Sequence, residues 1–419
     1  MTDKLPEHPP KTAIPMDDRR IWIDGCFDFT HHGLLVPPPL DPLAERAMRC
    51  SVSLTNSNLS GHAGAMLQAK RLGNYLCVGI HTDEEILANK GPTVMSLEER
   101  VLAVSACRWA NLPVPTAPYV TEPRWMDLYG CRYVVHGDDI TTDASGEDCY
   151  RIVKSAGRFK VVKRTPGIST TDLVGRMLLF TKTHHIRDIA GELEQDAEKL
   201  EMMRNYASDA AGMVGSGPAV FNYSPSSSSS HRLVDGVMPT GGRQIIYVDG
   251  GFDLFSPGHI EFLRLVVEAI TTAADPGSPP PYIVAGVHTD RVINHWKGLN
   301  YPIMNIFERS MCVLQCRYID SLMLSAPFVP DGGFLDELAR VYGGTVEAVY
   351  HGPTAFMEGE EDTYEEAKRR GIYREVGRHR WADVNAGVIV NRILRERERY
   401  EERQRKKGVK ASQEDTMVN

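Results

Sequence analysis

Little in this chain points to export, a bilayer or a nucleic acid. No run of 18 apolar residues occurs, so no membrane-spanning helix is expected. The first twenty residues, MTDKLPEHPPKTAIPMDDRR, are polar and proline-rich. They lack the apolar stretch of a secretory signal and read as a disordered arm. A basic excess is also missing. The net charge of −8 argues against general nucleic-acid binding, which favours a basic face, yet it permits a local basic pocket for phosphates. No CxxC pair exists among the eight cysteines, Cys26, Cys50, Cys77, Cys107, Cys131, Cys149, Cys312 and Cys316. Such scatter fits a reduced thiol set better than a disulfide framework or a zinc site. What is present is ordinary for a soluble globular protein: 419 residues, 42% hydrophobic and 24% charged, enough for two or three domains.

The strongest organising feature is an internal repeat. IWIDGCFDF (21–29) recurs as IIYVDGGFDLF (245–255), and VGIHTDEEI (78–86) as AGVHTDRVI (285–293). Lys90-Gly91 recurs as Lys297-Gly298, Glu99-Arg100 as Glu308-Arg309, APYV (117–120) as APFV (326–329), and VVHG (134–137) as VYHG (349–352). The order is the same in both halves. Within each copy, short β-rich runs alternate with helically spaced stretches, which predicts α/β architecture with a parallel sheet wrapped by helices. Ligands of such sheets sit at the carboxyl ends of the strands, where the HTD and HGD blocks fall. The expected domains are 21–182 and 243–396. Residues 183–242 between them, charged and helix-like at first and then carrying FNYSPSSSSSH, read as a flexible linker. Residues 397–419 read as a charged, solvated tail.

Three blocks carry phosphate chemistry. DGCFDFTHHG ends a strand, and HAGAMLQAKRLG opens an amphipathic helix. Joined, they place His31, Gly33 and His62 in an H-x-G-H loop. Glycine lets backbone approach a ligand, and the helix N-terminus offers unpaired N–H groups and a positive dipole end. Two imidazoles there can donate to phosphate oxygens as charge builds in displacement at phosphorus. In RTPGISTTDLVGRMLL, Arg164 suits a polyphosphate, and Ser169, Thr170 and Thr171 can cap the following helix and present hydroxyls to phosphate. Plain capping accounts for the hydroxyl residues but not for Arg164. Lys90, before a Gly-Pro turn, suits a phosphomonoester.

Taken together, DGCFD, the interrupted HHG…H, HTDEEI, KGP…M…EER, APYV, HGDD and RTPGISTTDLVGRML resemble the cytidylyltransferase family, H-x-G-H nucleotidyltransferases of Rossmann-like fold. Two such domains in tandem resemble its ethanolamine-phosphate branch, whereas the choline-phosphate branch resembles one domain followed by a membrane-binding helix. The resemblance covers about 21–179 and 243–394. It implies transfer of CMP from CTP to phosphoethanolamine. His31, His62, Lys90 and Arg164 are the implied catalytic groups. Gly25, Cys26, Phe27, Gly33, His136, Gly137, Asp138, Asp139, Thr165, Ser169, Thr170 and Thr171 are the implied CTP contacts. Lys90 would hold the substrate phosphate, with Asp28 or Asp83 on the ammonium. Mg²⁺ is expected with CTP, bridging its phosphates. The resemblance also implies a cytoplasmic enzyme, with the endoplasmic reticulum surface and a homodimer as options. Phosphocholine or another phosphoalcohol is the alternative acceptor. Class I aminoacyl-tRNA synthetases share the H-x-G-H loop but are set aside for want of a KMSK-like block.

The second copy departs from the pattern. Ser256-Pro257-Gly258-His259 replaces H-x-G-H, and RHRWADVNAGV replaces RTPGISTT. It reads as a degenerate partner with a residual nucleotide site at Phe252, Gly258, His259 and Lys297. It also exposes an oddity of the first copy. Gly258 runs directly into His259, whereas 28 residues, Leu34–Gly61, separate Gly33 from His62. Loops of this kind span about 2–6 residues. A retained intron or gene-model error is the expected cause. A genuine surface loop whose ends still meet is the rival, since closure costs grow slowly with length. With its loop split, an inactive CTP-binding isoform is a further reading.

Overall fold

The computed structural model describes residues 12–28, 61–137, 141–162, 173, 175–177, 181–240, 243–352, 362–396 and 398. In the first copy the strands are β1 (Asp17–Gly25), β2 (Tyr75–Ile80), β3 (Leu112–Pro115), β4 (Cys131–Gly137) and β5 (Phe159–Val162). They form a parallel sheet in the order β3-β2-β1-β4-β5. Around it lie α1 (Gly61–Arg71), α2 (Asp83–Lys90), α3 (Leu97–Ala106), α4 (Pro123–Leu128) and α5 (Arg151–Ser155). The expected α/β class is what the chain adopts. β1 begins four residues before the expected domain start: Asp17 pairs with Cys131 and Arg20 with Tyr75, so the end of the supposed arm is strand.

The stretch between the copies corrects the flexible-linker reading more strongly. It forms α6 (Ile189–Gln195), α7 (Ala197–Tyr206), β6 (Ala219–Ser224) and β7 (Ser229–Val234). Asp196 ends α6 and caps α7, its side chain accepting from the Glu198 and Lys199 N–H groups. The serine run lies largely in the turn and in β7, which is mostly exposed and so needs no apolar face. β6 is buried and pairs with a strand of the second copy.

That second copy contains β8 (Ile245–Gly250), α8 (Pro257–Ala273), β9 (Tyr282–Val287), α9 (Asp290–Lys297), α10 (Ile306–Leu314), β10 (Ser321–Leu324), α11 (Gly332–Tyr342), β11 (Val346–His351), α12 (Glu365–Arg369), β12 (Tyr373–Glu375) and α13 (Ala386–Arg395). Its sheet runs β12-β11-β8-β9-β10-β6-β7, with only β7 antiparallel. β8 and β9 are almost continuously apolar because both faces are covered, as parallel sheets require. One repeated glycine has a packing cause. A Cβ on Gly79 would come within 2.5 Å of the Trp22 ring, and one on Gly286 within 2.2 Å of the Tyr247 hydroxyl.

The copies share one apolar core, with Met66, Val104 and Trp109 from the first and Ile260, Phe307 and Val313 from the second in the same cluster. Reciprocal arginines seal the seam. Arg108 donates to the carbonyls of Leu314, Cys316 and Ile319, and Arg317 to those of Cys107 and Ala110. Two carboxylate pairs repeat the exchange. Arg176 grips Glu308 with both nitrogens at 2.7 and 3.0 Å, and Arg392 grips Glu99 with both at 2.8 Å. Each glutamate also caps its own helix, Glu99 accepting from Ser96 N–H and Glu308 from Asn305 N–H.

Candidate functional site

The site forms where strand order reverses. β1 and β4 are neighbours, and the chain leaves them on opposite sides, which opens a crevice at their carboxyl ends. Gly25-Cys26-Phe27 leaves β1 there, and His136-Gly137 ends β4. Phe27 adopts a left-handed backbone, φ 51°, and its second-copy counterpart Phe252 does the same at φ 50°. Such a conformation costs a bulky residue energy and persists only where its surroundings fix it. Here it lays the Phe27 ring against His62, centroids 5.2 Å apart, in the first turn of α1. Phe252 and His259 repeat the contact at 5.5 Å. His136 stacks on Tyr150 at 4.6 Å and approaches the Gly137 carbonyl through Nδ1. Lys90 is exposed at the end of α2, with Nζ 5.8 Å from the centre of the Tyr119 ring.

Of the expected site residues, Gly25, Cys26, Phe27, Asp28, His62, Asp83, Lys90, His136 and Gly137 are described and gather at this end of the sheet. His31, Gly33, Asp138, Asp139, Arg164, Thr165, Ser169, Thr170 and Thr171 lie outside the described residues, as does 34–60 of the insert.

Both carboxylates considered for the ammonium are engaged in the framework. Asp28 is buried and accepts from the N–H groups of Val94 and Met95 at 2.9 Å each. Asp83 accepts from Arg100 at 2.6 Å and from Leu97 N–H at 3.1 Å. Asp24 accepts from Trp22 Nε1, the Thr121 hydroxyl and the Tyr150 hydroxyl, at 2.6–2.7 Å, and so fixes the floor of the crevice.

The repeated EER and HTD blocks have structural duties that sequence alone did not reveal. Arg100, fully buried, donates to the carbonyls of Met95, Cys26 and His81 and to Asp83. One guanidinium thus ties the ends of β1 and β2 to the loop after Lys90. Arg309 repeats it on Met304, Gly251, His288 and Asp290. His81 is buried beside the Ala117 carbonyl, and burial pushes its pKa down. His288 sits likewise beside Ala326 O and is pushed down to about 4. The exact repetition of the blocks was the available signal.

In the second copy the crevice is built differently. The Gly258 N–H, counterpart of the loop glycine, donates to the Val384 carbonyl at 3.3 Å, and the carbonyls of Val384 and Trp381 crowd its Cα. Protein carbonyls therefore line the loop glycine of the second copy. His259 Nδ1 accepts from Ser256 N–H at 3.0 Å, and burial, reinforced by Lys297, pushes its pKa down to about 3. Lys297 is exposed over Tyr301, at 5.7 Å.

Comparison with known proteins decides the family. Residues 60–176 match the Cytidylyltransferase-like family model, a match that begins where the insert ends. Ethanolamine-phosphate cytidylyltransferase of Mus musculus is 36% identical over 412 residues, covering 94% of this chain and 91% of its own. That of Dictyostelium discoideum is 38% identical over 404 residues, 93% and 95%. The chain belongs to the ethanolamine-phosphate cytidylyltransferases. Choline-phosphate cytidylyltransferase A of Rattus norvegicus is 40% identical, but over only 38% of this chain. The tandem arrangement, not the degree of identity, thus separates the two branches. As a member of the first, the chain is a nucleotidyltransferase. No helix among the described residues is long and apolar enough to cross a membrane.

Proposed function

We propose that the chain transfers CMP from CTP to phosphoethanolamine, giving CDP-ethanolamine and pyrophosphate. The observation that carries this reading is the first copy's crevice, with His62 at a helix N-terminus facing the β1–β4 switch point, in a chain aligned with tandem relatives over nearly its full length. A phosphate oxygen of phosphoethanolamine attacks the α-phosphorus of CTP in line. The new P–O bond forms as the bond to the bridging oxygen breaks, and pyrophosphate leaves with that electron pair. No covalent enzyme intermediate is required, so catalysis is positioning plus charge stabilisation.

In this reading His31 and His62 donate to the oxygens that gain charge, and Lys90 holds the attacking phosphate. Arg164, Thr165 and Ser169–Thr171 hold the CTP phosphates, with Gly33 at the loop. Gly25–Phe27 and His136–Asp139 line the nucleotide. Mg²⁺ would come with CTP and would offset the charge on its phosphates as pyrophosphate leaves. Among the described residues no group of three carboxylate, histidine or cysteine side chains forms a metal cage. The second copy keeps Phe252, Gly258, His259 and Lys297 as a degenerate nucleotide site, and turnover belongs to the first. A cytosolic enzyme handing its product to the endoplasmic reticulum surface accords with this chemistry.

The test is pyrophosphate release from CTP and phosphoethanolamine by the chain as written and by a variant lacking Leu34–Gly61, side by side. Turnover by the shortened variant alone identifies the insert as an artefact or an inactivating splice. Equal turnover makes it a tolerated loop. If neither releases pyrophosphate with phosphoethanolamine, phosphocholine is tried next, and failure with both overturns the reading.

A further inference from the structure

The loop that follows Lys90 is held from five directions, and one of them is the other copy. Within the first copy, Asp28 at the end of β1 accepts from Val94 and Met95 N–H, and Arg100 bonds the Met95 carbonyl. Asp83 accepts from Leu97 N–H, and Glu99 from Ser96 N–H at 2.9 Å. The fifth hold comes from α13, nearly 300 residues away in the chain. Arg392 places both nitrogens on Glu99, which is 3% exposed, and Nη1 lies 3.4 Å from the Val94 carbonyl. The loop leaves Lys90 through Gly91, whose φ of 95° and Pro92 neighbour set its direction. A shift of Val94 or Ser96 therefore reaches the base of the lysine within a few bonds.

We infer that Arg392 of the degenerate copy is a positioning residue for Lys90, and so for the attacking phosphate, in the catalytic copy. The inference rests on the reading of Lys90 as the phosphate-binding cation. A bidentate guanidinium–carboxylate pair fixes orientation as well as distance. Glu99 passes that constraint to Ser96 N–H, and Val94 receives it directly. The second copy thus contributes to the site of the first without contributing a group that touches substrate.

The experiment compares Arg392→Gln, Arg392→Lys, Arg380→Gln and Lys90→Met in whichever form, with or without the insert, turns over. Arg380 pairs with Glu98 across the same seam, but both side chains are more than half exposed, so this pair is solvated and holds little. Arg392→Gln is expected to raise KM for phosphoethanolamine about five- to twentyfold and to leave KM for CTP within about twofold, on the rule that a small misplacement of a positioned group is costly. Amide exchange at Val94, Met95 and Leu97 should quicken while β1 and β2 amides stay as they are. Arg392→Lys recovers part of the affinity, and Arg380→Gln changes neither constant. An unchanged KM for phosphoethanolamine overturns the inference, as does an equal rise in both KM values. Unaltered exchange of the loop amides overturns it whether or not either form is active. Lys90→Met separates the two ideas. If it leaves KM for phosphoethanolamine unchanged, the role given to Lys90 has failed, and loop exchange alone then decides whether Arg392 acts on the loop.

Discussion

The two copies share a skeleton and differ in what fills it. In each, a buried arginine ties two strand ends to the next loop, and an aspartate one turn beyond the first strand grips two amides of that loop. In each, a histidine beside a carbonyl closes the second strand, and a left-handed phenylalanine leans on the histidine of the helix N-terminus. The differences lie at the aspartate that ends the first strand. Asp24 has three donors. In the second copy Tyr247 stands for Trp22 and Pro330 for Thr121, and Asp249 has a 2.5 Å bond from the Tyr364 hydroxyl, with the Tyr247 hydroxyl beside it. A duplicated domain with a different loop, Ser256-Pro257-Gly258-His259, serves as an internal control. Polar residues kept with identical partners in both copies are framework, and those found in one copy only are candidates for chemistry. By that measure His31, Asp138, Asp139 and Ser169–Thr171 are candidates for the reaction, and the HTD histidine and EER arginine are framework.

The comparison can be broken most directly at the seam. Glu308→Ala leaves the Arg176 guanidinium, 13% exposed, without its carboxylate and is expected to cost about 3–5 kcal/mol in denaturant unfolding. Glu99→Ala frees Arg392, which is 36% exposed and can rehydrate, and should cost clearly less. Equal losses would mean that the pseudo-symmetric pairs are also energetically equivalent. Next in size is the helix histidine. His62→Ala should lower kcat about 10²–10³-fold, the usual cost of one donor to a developing oxyanion, whereas His259→Ala should leave kcat within about twofold. A comparable loss from His259→Ala would show that the second copy takes part in turnover.

The smallest effect concerns pH. Burial pushes the Asp249 carboxyl up to about 7, from an ordinary 3.8, against the pull of the Tyr364 and Tyr247 hydroxyls. An acid whose pKa is raised by folding binds its proton more tightly in the folded state. Its contribution is full below about pH 4 and is lost as pH rises toward 7. Asp249→Asn should remove that slope, about 2 kcal/mol between pH 5 and 7, in unfolding followed through the second copy's tyrosines. An unchanged slope would assign the pH dependence to another group.

Much of this architecture is legible before any coordinates. The alternation of strand and helix, the duplication, and the gathering of Gly25–Phe27, His62, Lys90 and His136 at one sheet end all follow from ordered repeats. Two kinds of feature resist. β7 hides in a serine-rich stretch because an edge strand facing water needs no apolar alternation, and in the buried β6 Asn222 accepts from the Ser325 hydroxyl, a polar residue inside the sheet that breaks the apolar run. Asp28 and Asp83 read as ligand carboxylates, and the sequence does not show that Asp28 accepts from two backbone amides or that Asp83 accepts from one amide and a guanidinium. Only the position of Val94, Met95 and Arg100 shows it.

The seam also has a consequence in time. Arg108 must wait for carbonyls as far as 208 and 211 residues ahead of it. At roughly 5–20 residues per second on a ribosome, that is a delay of about 10–40 s. Until then the face around Trp109 and Val104 is finished in outline but uncovered, and α7 and the buried β6 emerge before the second copy's sheet exists to receive them. The nascent first copy is therefore the stage at which this chain most needs shielding from its neighbours on the same message, and slowing synthesis between residues 240 and 320 would lengthen that exposure without altering a single contact of the finished molecule.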